Sequence, residues 1–508
     1  MGSEKHYVRT EEIDWLNVMP WLRLLRSFHM AMRPAKLLLA LMMVVILFAG
    51  GLVFDLVGGA QVESVNEIRP YATLSPSAFA QWQEKREKKV QQMLYEMVEG
   101  LPGFDGDPIA LAKSDDRLNL ARDAVKKRLA DNPDRQQRKF DAIDQLRPRG
   151  FFVTALRFKK AAASRFLRAM AKGWVGKSDL NSNPDYNPGS MVGALRDLMA
   201  LVVWMFGRHP VFGVVWILFS YILITVFGGA ISRISALQAT RDVQMSTIEA
   251  MRSSLGFVWQ RIVWYALVFA MPLFVVAFFG VLLAIGGAVF FNVPVLDVIG
   301  AVLFVIALGI GFALSLILIV EGFSWPLFQP ALSVEGTDAF DAVARAFNYV
   351  MGRPLRYMFY MFVSLVSGLV STLFVALVVY VVLRATRGFV GSGVFVEGRI
   401  DAIMPPVDWR DMTYAPNDSQ TIAGLIVMIW VNLLVAVIAA YMVSYFYTAT
   451  TWVYLLLRRS SDGTEFDEIF IDVDSQTTVA DAPAEPTAVA DAAKAAEEGD
   501  SASQNSIN

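Results

Sequence analysis

Apolar residues are unevenly distributed along the chain of 508 residues. They gather in six runs, 37–57, 211–232, 263–287, 296–320, 355–383 and 422–457. Runs of about 20 apolar residues are long enough to cross a hydrocarbon layer of about 30 Å as helices, so the pattern predicts six spans. The last run exceeds what a span needs and is expected to tilt or to continue past the membrane surface. A shorter stretch, 191–206, contains Arg196 and Asp197. It reads as an interfacial helix leading through Arg208, His209 and Pro210 into the second span.

Between the first two spans the pattern changes. Residues 75–99 set Trp82, Val90, Leu94 and Met97 amid dense charge, and 107–129, 134–146 and 151–172 also read as helices. Gly and Pro mark the joins at 100–103, Asn132-Pro133 and 148–150. Phe151, Phe152, Val153 and Phe158 are expected to pack inside this small helical domain rather than to touch the membrane, and 181–190 reads as a loop returning the chain to the bilayer. From residue 475 onward six acidic residues face one Lys494 with almost no large apolar residue, a composition expected to be disordered. The resulting division is an amphipathic lead (1–36), a first span (37–57), a helical insertion (58–190), a five-span membrane domain (191–459), a capped segment (460–474) and an acidic tail (475–508). The fold class is an all-α integral membrane protein.

Composition agrees with that class: 55% of residues are hydrophobic and 18% charged. The formal net charge of −2 says nothing of partners, but the placement of Lys and Arg does. Arg23, Arg26, Arg33 and Lys36 precede the first span. Arg233, Arg241, Arg252 and Arg261 lie between spans two and three, Arg345, Arg353 and Arg356 between four and five, and Arg458 and Arg459 after six. The connection 286–295 has neither Lys nor Arg. The positive-inside rule then puts both termini in the cytoplasm and the insertion outside. Against it stand Arg384 and Arg387 and a basic insertion, with 23 Lys and Arg against 17 Asp and Glu over 58–190. Long loops, however, translocate largely regardless of charge. The lead is longer than the charged region of a cleaved signal peptide, so the first run reads as a retained anchor. Localisation in the cytoplasmic (inner) membrane of a bacterium is expected.

A short box recurs. Residues 333–343 read SVEGTDAFDAV and 460–470 read SSDGTEFDEIF, with Trp325/Trp452, Ser333/Ser460, Glu335/Asp462, Gly336/Gly463, Thr337/Thr464 and Asp338/Glu465 all at one offset of 127. In the first box Thr337 is the expected N-cap, with Asp338 and Asp341 at the positive end of the helix dipole. Ala339, Phe340, Val343, Ala344, Phe347 and Val350 form an apolar stripe facing the membrane surface. Ser246 and Glu249 form a looser third version, a capping box. Spans two and three, then four and five, thus read as two parallel copies of a span–surface helix–span unit, an arrangement known among transport proteins but not confined to them.

The stretches 228–242, 335–357 and 454–468 resemble a group of uncharacterised multi-pass bacterial membrane proteins. The resemblance covers roughly residues 200–470 and implies no activity. A fainter architectural similarity links the chain to the membrane domain attached to some glycerophosphodiester phosphodiesterases, whose catalytic His and acidic metal ligands have no counterpart here.

The chain contains no cysteine, which excludes disulfides, thiolate metal sites and cysteine nucleophiles. His6, His29 and His209 lack a second His or a carboxylate at metal-ligand spacing, and His209 reads as an interfacial anchor. No catalytic set and no cofactor motif is visible, and no nucleic-acid partner is expected. Asp55, Asp297 and Glu321 lie at span ends; Asn432 is polar and deep in a span, where an interhelical hydrogen bond is its default use. Gly309, Gly311, Gly368 and Pro272 read as packing or kinking positions. The acidic boxes allow three readings: plain helix capping; docking of a protein partner through Glu335, Gly336, Thr337, Asp338, Asp341, Asp462, Gly463, Thr464 and Glu465; or oxygen ligation of a divalent metal by Glu335, Asp338, Asp341, Asp462 and Glu465. The expected role is a non-enzymatic scaffold or assembly factor in contact with the lipid bilayer, meeting partners through the outer domain and the cytoplasmic helices. A transporter or lipid-handling protein is the alternative and a membrane enzyme the last.

Overall fold

The computed structural model describes residues 19–58, 61–62, 67–98, 149–174, 190–241, 246–292, 296–396, 399–404, 422–466 and 468–470. The expected helices over 107–129 and 134–146 and the acidic tail lie outside these residues. Six described helices are long and apolar enough, by length and composition, to cross a membrane: Pro34–Val57, Pro210–Ala239, Ile262–Phe291, Leu296–Glu335, Pro354–Ser392 and Ile422–Asp462. The architecture is that of an all-α multi-pass membrane protein.

In chain order the helices are α1 (Arg26–Ala31), α2 (Pro34–Gly58), α3 (Ile68–Thr73), α4 (Pro76–Val98), α5 (Phe151–Ala171), α6 (Met191–Arg208), α7 (Pro210–Leu223) and α8 (Gly229–Arg241). They continue as α9 (Thr247–Gln260), α10 (Ile262–Phe291), α11 (Leu296–Ser324), α12 (Phe328–Glu335), α13 (Ala339–Gly352), α14 (Pro354–Ser392), α15 (Arg399–Ile403) and α16 (Ile422–Asp462). The chain divides into two compact units, Val44–Leu223 and a second made of Met1–Met43 with Ile224–Asn508.

In the unit Val44–Leu223, α5 and α6 pack antiparallel around Ile68, Phe151, Phe158, Ala200, Trp204 and Met205. Phe151, Phe152 and Phe158 are buried, but not inside the insertion alone: Phe151 stacks on Trp204 at 5.2 Å, and Phe152 packs against Phe48 of α2 and Trp216 of α7. A two-residue antiparallel ladder pairs Gln61 with Gly150 and Val62 with Arg149. Asp55, near the end of α2, accepts the backbone N–H of Phe152 at 2.7 Å and of Val153 at 3.0 Å. Its charge thereby satisfies two orphan donors at the positive end of α5. Asp197 is only 4% exposed and survives burial because Arg69 grips both its oxygens at 2.6 and 2.8 Å while Arg165 binds one at 2.7 Å.

The second unit is built around α16. Its residues Thr448 to Leu457 are buried against α1, α8, α12, α13 and α14. Helix α7 passes into α8 through a π turn, Ile224–Gly228. Gln329 Nε2 donates at 3.0 Å to the Ile224 carbonyl that this wide turn frees. Gly228 and Gly368 are close-approach positions, where a Cβ would collide with Tyr447 or Tyr445 respectively. Gly309 and Gly311, read from the sequence as packing or kinking positions, have open space around them. They lie in α11, whose most apolar window buries no residue among the described ones.

The helices run well past the apolar runs. Lys36 and Arg233, expected as loop charges flanking spans, sit inside α2 and α8 and are buried. Polar partners from distant helices, Thr448 for Lys36 and the Ser333 carbonyl for Arg233, make this tolerable.

Candidate docking site at the helix ends

Glu335 is the last residue of α12 and Gly336 follows it at φ +63° in the left-handed region; Asp462 and Gly463 repeat this at the end of α16, with φ +72°. Glycine adopts that conformation without a Cβ penalty and closes a helix. The Gly336 N–H reaches the Leu332 carbonyl at 3.0 Å and the Gly463 N–H the Arg459 carbonyl at 3.2 Å. Both boxes are therefore helix C-terminal caps.

Thr337 is not the N-cap of α13, contrary to expectation. Asp338 is: its carboxylate accepts the Asp341 N–H at 2.8 Å, while Thr337 Oγ1 is buried without a partner. Thr464 Oγ1 is in the same state. The two copies then diverge. Asp338 starts a helix, but the position matching it is Glu465, whose longer side chain is a poor cap, and residues 464–466 and 468–470 form no helix. Ser246 does cap α9, accepting the Glu249 N–H at 3.3 Å. The face of α13 that packs is also rotated from the expected stripe. Ala342, Ala346 and Tyr349 are buried with Ala339 and Val350, whereas Phe340 and Ala344 are exposed. Neighbouring helices of the bundle, α10, α11, α12, α14 and α16, determine that face.

Glu335 forms the hub of a charge network. Its Oε1 takes Arg458 Nε at 2.8 Å and the Tyr454 hydroxyl at 3.0 Å, and Oε2 faces Arg345 at 3.7 Å. Arg345 Nε also donates to Asp341 at 2.9 Å. The Tyr349 hydroxyl donates to Asp462, and burial, then that carboxylate, push its phenol above the usual tyrosine range. Three of the five acidic residues, Glu335, Asp341 and Asp462, thus belong to one network held by arginine and tyrosine donors, while Asp338 and Glu465 point to solvent. The five are not gathered around one point.

Arginines also close the last turn of α12, whose carbonyls lack intrahelical donors. Arg233 donates to the Ser333 carbonyl at 2.7 Å and Arg261 to that of Gly336. Tyr265 holds the Ser333 hydroxyl at 2.8 Å. The chain after α16 then folds back as a strap. The Phe470 N–H donates to the Val334 carbonyl at 2.9 Å, and its ring lies under Arg261. Phe466 sits between Arg23 at 4.2 Å and Arg459 at 4.8 Å, and Arg458 donates to the Glu468 carbonyl.

Deeper in the same unit, Lys36 is completely buried, with Nζ 3.2 Å from Thr448 Oγ1 and 3.4 Å from Ser235 Oγ. Ser444 donates to the Ala31 carbonyl at 2.8 Å, and Tyr445 to the Ser364 carbonyl at 2.9 Å. Asn432, the expected interhelical donor, is half-buried. In the sequence Lys36, Arg345 and Arg458 stand only as topology markers, and Tyr349, Tyr454, Phe466 and Phe470 carry no assigned role. Phe466 and Phe470, both inside the second box, were the local signal for the strap. The chain matches no protein-family model, no curated protein and no solved structure.

Proposed function

We propose that this is a non-enzymatic scaffold or assembly factor of a bacterial inner membrane, with both termini cytoplasmic. Partners would dock on the helix-end network of Glu335, Arg345, Tyr349 and Asp462 and on the exposed apolar side chains beside it. The observation that carries this reading is the use of the polar side chains within the bundle. Lys36, Ser235 and Thr448 bond one another, Ser444 bonds α1, and Tyr445 bonds α14. Polar groups spent on helix–helix bonds act as glue. The connecting helices meanwhile expose Ile248, Trp259 and Phe340 at 78%, 73% and 60%. Side chains of that size left exposed on the connecting helices suit a protein partner or the lipid interface.

The test is site-specific photo-crosslinking in cells from positions 248, 259 and 340, with positions on the lipid-facing side of α11 as controls. A discrete protein adduct from the three sites, absent from the controls, supports the scaffold. Adducts to lipid alone refute it. Lys36 favours the second reading, since an ionisable residue within a span is a functional candidate by default. If Lys36→Met abolishes the cellular phenotype while leaving assembly and adducts intact, transport replaces scaffolding.

A further inference from the structure

The unit Val44–Leu223 carries a surface that the helix-end network does not use. Helix α5 with the two residues after it holds Arg157, Lys159, Lys160, Arg165, Arg168 and Lys172 and no carboxylate. Its buried face is apolar, formed by Phe151, Phe158, Ala162 and Ala169. Arg157, Lys159, Lys160, Arg168 and Lys172 are exposed. Arg157, Lys160 and Arg168 recur at helical spacing along one flank. Beneath it Arg69 and Arg165 share the carboxylate of Asp197, and the buried carboxylate of Glu67 accepts the Trp204 indole N–H at 3.0 Å, so the packed layer is itself charge-balanced.

Helix α6 presents the complementary surface. Gly193, Ala194, Asp197, Ala200, Trp204 and Met205 face inward. On the opposite side Val192, Leu195, Met199, Val202, Val203 and Phe206 are all exposed, Met199 at 65%. These positions follow helical spacing over the length of α6 and make an apolar face bordered by exposed Arg196.

Chain continuity says what covers that face. Helix α6 runs through His209 directly into Pro210, the first residue of a span, and Asp55, near the end of another span, caps α5. The base of the α5–α6 hairpin is thereby tied to two span ends, where headgroups begin. At the opposite end of the hairpin from those span ends, Trp174, 46% exposed and covered by Lys172 at 4.7 Å, has the amphipathic character of an interfacial anchor. A hairpin that exposes apolar side chains on one helix and cations on the other, joined to a span end, has the chemistry of binding to an anionic membrane surface.

We propose that the α5–α6 hairpin is a lipid-docking surface selective for anionic phospholipids, with α6 seated in the acyl boundary and the cations of α5 on headgroup phosphates. The inference is independent of the scaffold reading. Two measurements on the full-length protein in nanodiscs test it. In the first, retention of phosphatidylglycerol over phosphatidylcholine is compared between wild type and the triple variant Lys159→Gln, Lys160→Gln, Arg168→Gln. Each cation near an anionic surface changes binding roughly fivefold, so the variant should lose most of the preference, and salt should erode it in wild type. In the second, the absence of cysteine lets Met199→Cys carry a single spin label for depth measurement. The label should be reached by oxygen and shielded from a water-soluble relaxant, with a label at Lys160→Cys showing the reverse. An unchanged lipid preference in the triple variant refutes the cationic half. A label at position 199 as water-accessible as one at 160 refutes the membrane-seated hairpin, and inorganic phosphate competing as well as the lipid would show a simple anion site.

Discussion

The pair Glu335–Arg458 offers a quantitative test of the helix-end network. The carboxylate and guanidinium meet at 2.8 Å, and each side chain is only 10% exposed. At an effective dielectric of about 20 the gross attraction at that distance is about 6 kcal/mol. Desolvation of both groups offsets much of it, so the net worth of the pair against an apolar replacement is small. Breaking one side is different, because it strands a largely buried charge. Arg458→Met should destabilise by about 3 kcal/mol, the low end for a broken buried pair, because some water remains. Glu335→Gln should cost about 2 kcal/mol, since it keeps an acceptor for Tyr454 but loses the charge-assisted bond. Arg345, at 38% exposure and 3.7 Å, adds about 0–1 kcal/mol. The double variant should cost clearly less than the sum, with a coupling of about 2 kcal/mol. Reversible unfolding of the full-length protein in mixed micelles, run as a double-mutant cycle, reads this directly. A coupling below about 0.5 kcal/mol, the value of an exposed pair, would refute the account of Glu335 as a hub.

Three further outcomes follow from the same geometry. Asp338→Ala should cost about 1 kcal/mol through loss of the α13 cap, while Thr337→Val should be neutral or stabilising because it removes a buried, unpartnered hydroxyl; equal costs in the same unfolding assay would return the cap to Thr337. Gly463→Ala should cost about 1–2 kcal/mol from the left-handed backbone alone, whereas Gly336→Ala should cost visibly more because its Cβ would drive into the Phe470 ring, and proteolysis near residue 470 should rise. His209 lies against Phe151 and Trp204, and burial, then Arg208, hold its imidazole below the usual range. The folded state therefore disfavours protonation: its contribution to stability is present above about pH 6.5 and falls as acid protonates the unfolded chain. Thermal melts from about pH 8 to about pH 5 should decline more steeply for wild type than for His209→Gln, and parallel curves would contradict the sign.

Six spans, the helices at 76–98, 151–171 and 191–208 and the Ser246 cap were all readable from local pattern. Apolar length and a period near 3.6 are properties of neighbouring residues, and lipid imposes them without help from the rest of the chain. The Gly–Thr–acid boxes were visible too, but only as helix starts: the first does start α13, from Asp338, and both also close the helix before them. A glycine at positive φ and a threonine cap look alike in one dimension, and the choice depended on which side chain found an amide. Other features rested on partners far away in sequence. Lys36 reads as a topology charge until Ser235 and Thr448, 199 and 412 positions on, enclose its amine. Arg233 reads as a loop residue until the Ser333 carbonyl, 100 positions on, receives it. The packed face of α13 shifted from Phe340 to Ala342, Ala346 and Tyr349 because five helices of the bundle had already fixed the space beside it. A buried charge or a rotated face depends on what the opposite helix offers, and that information enters only when the helices pack.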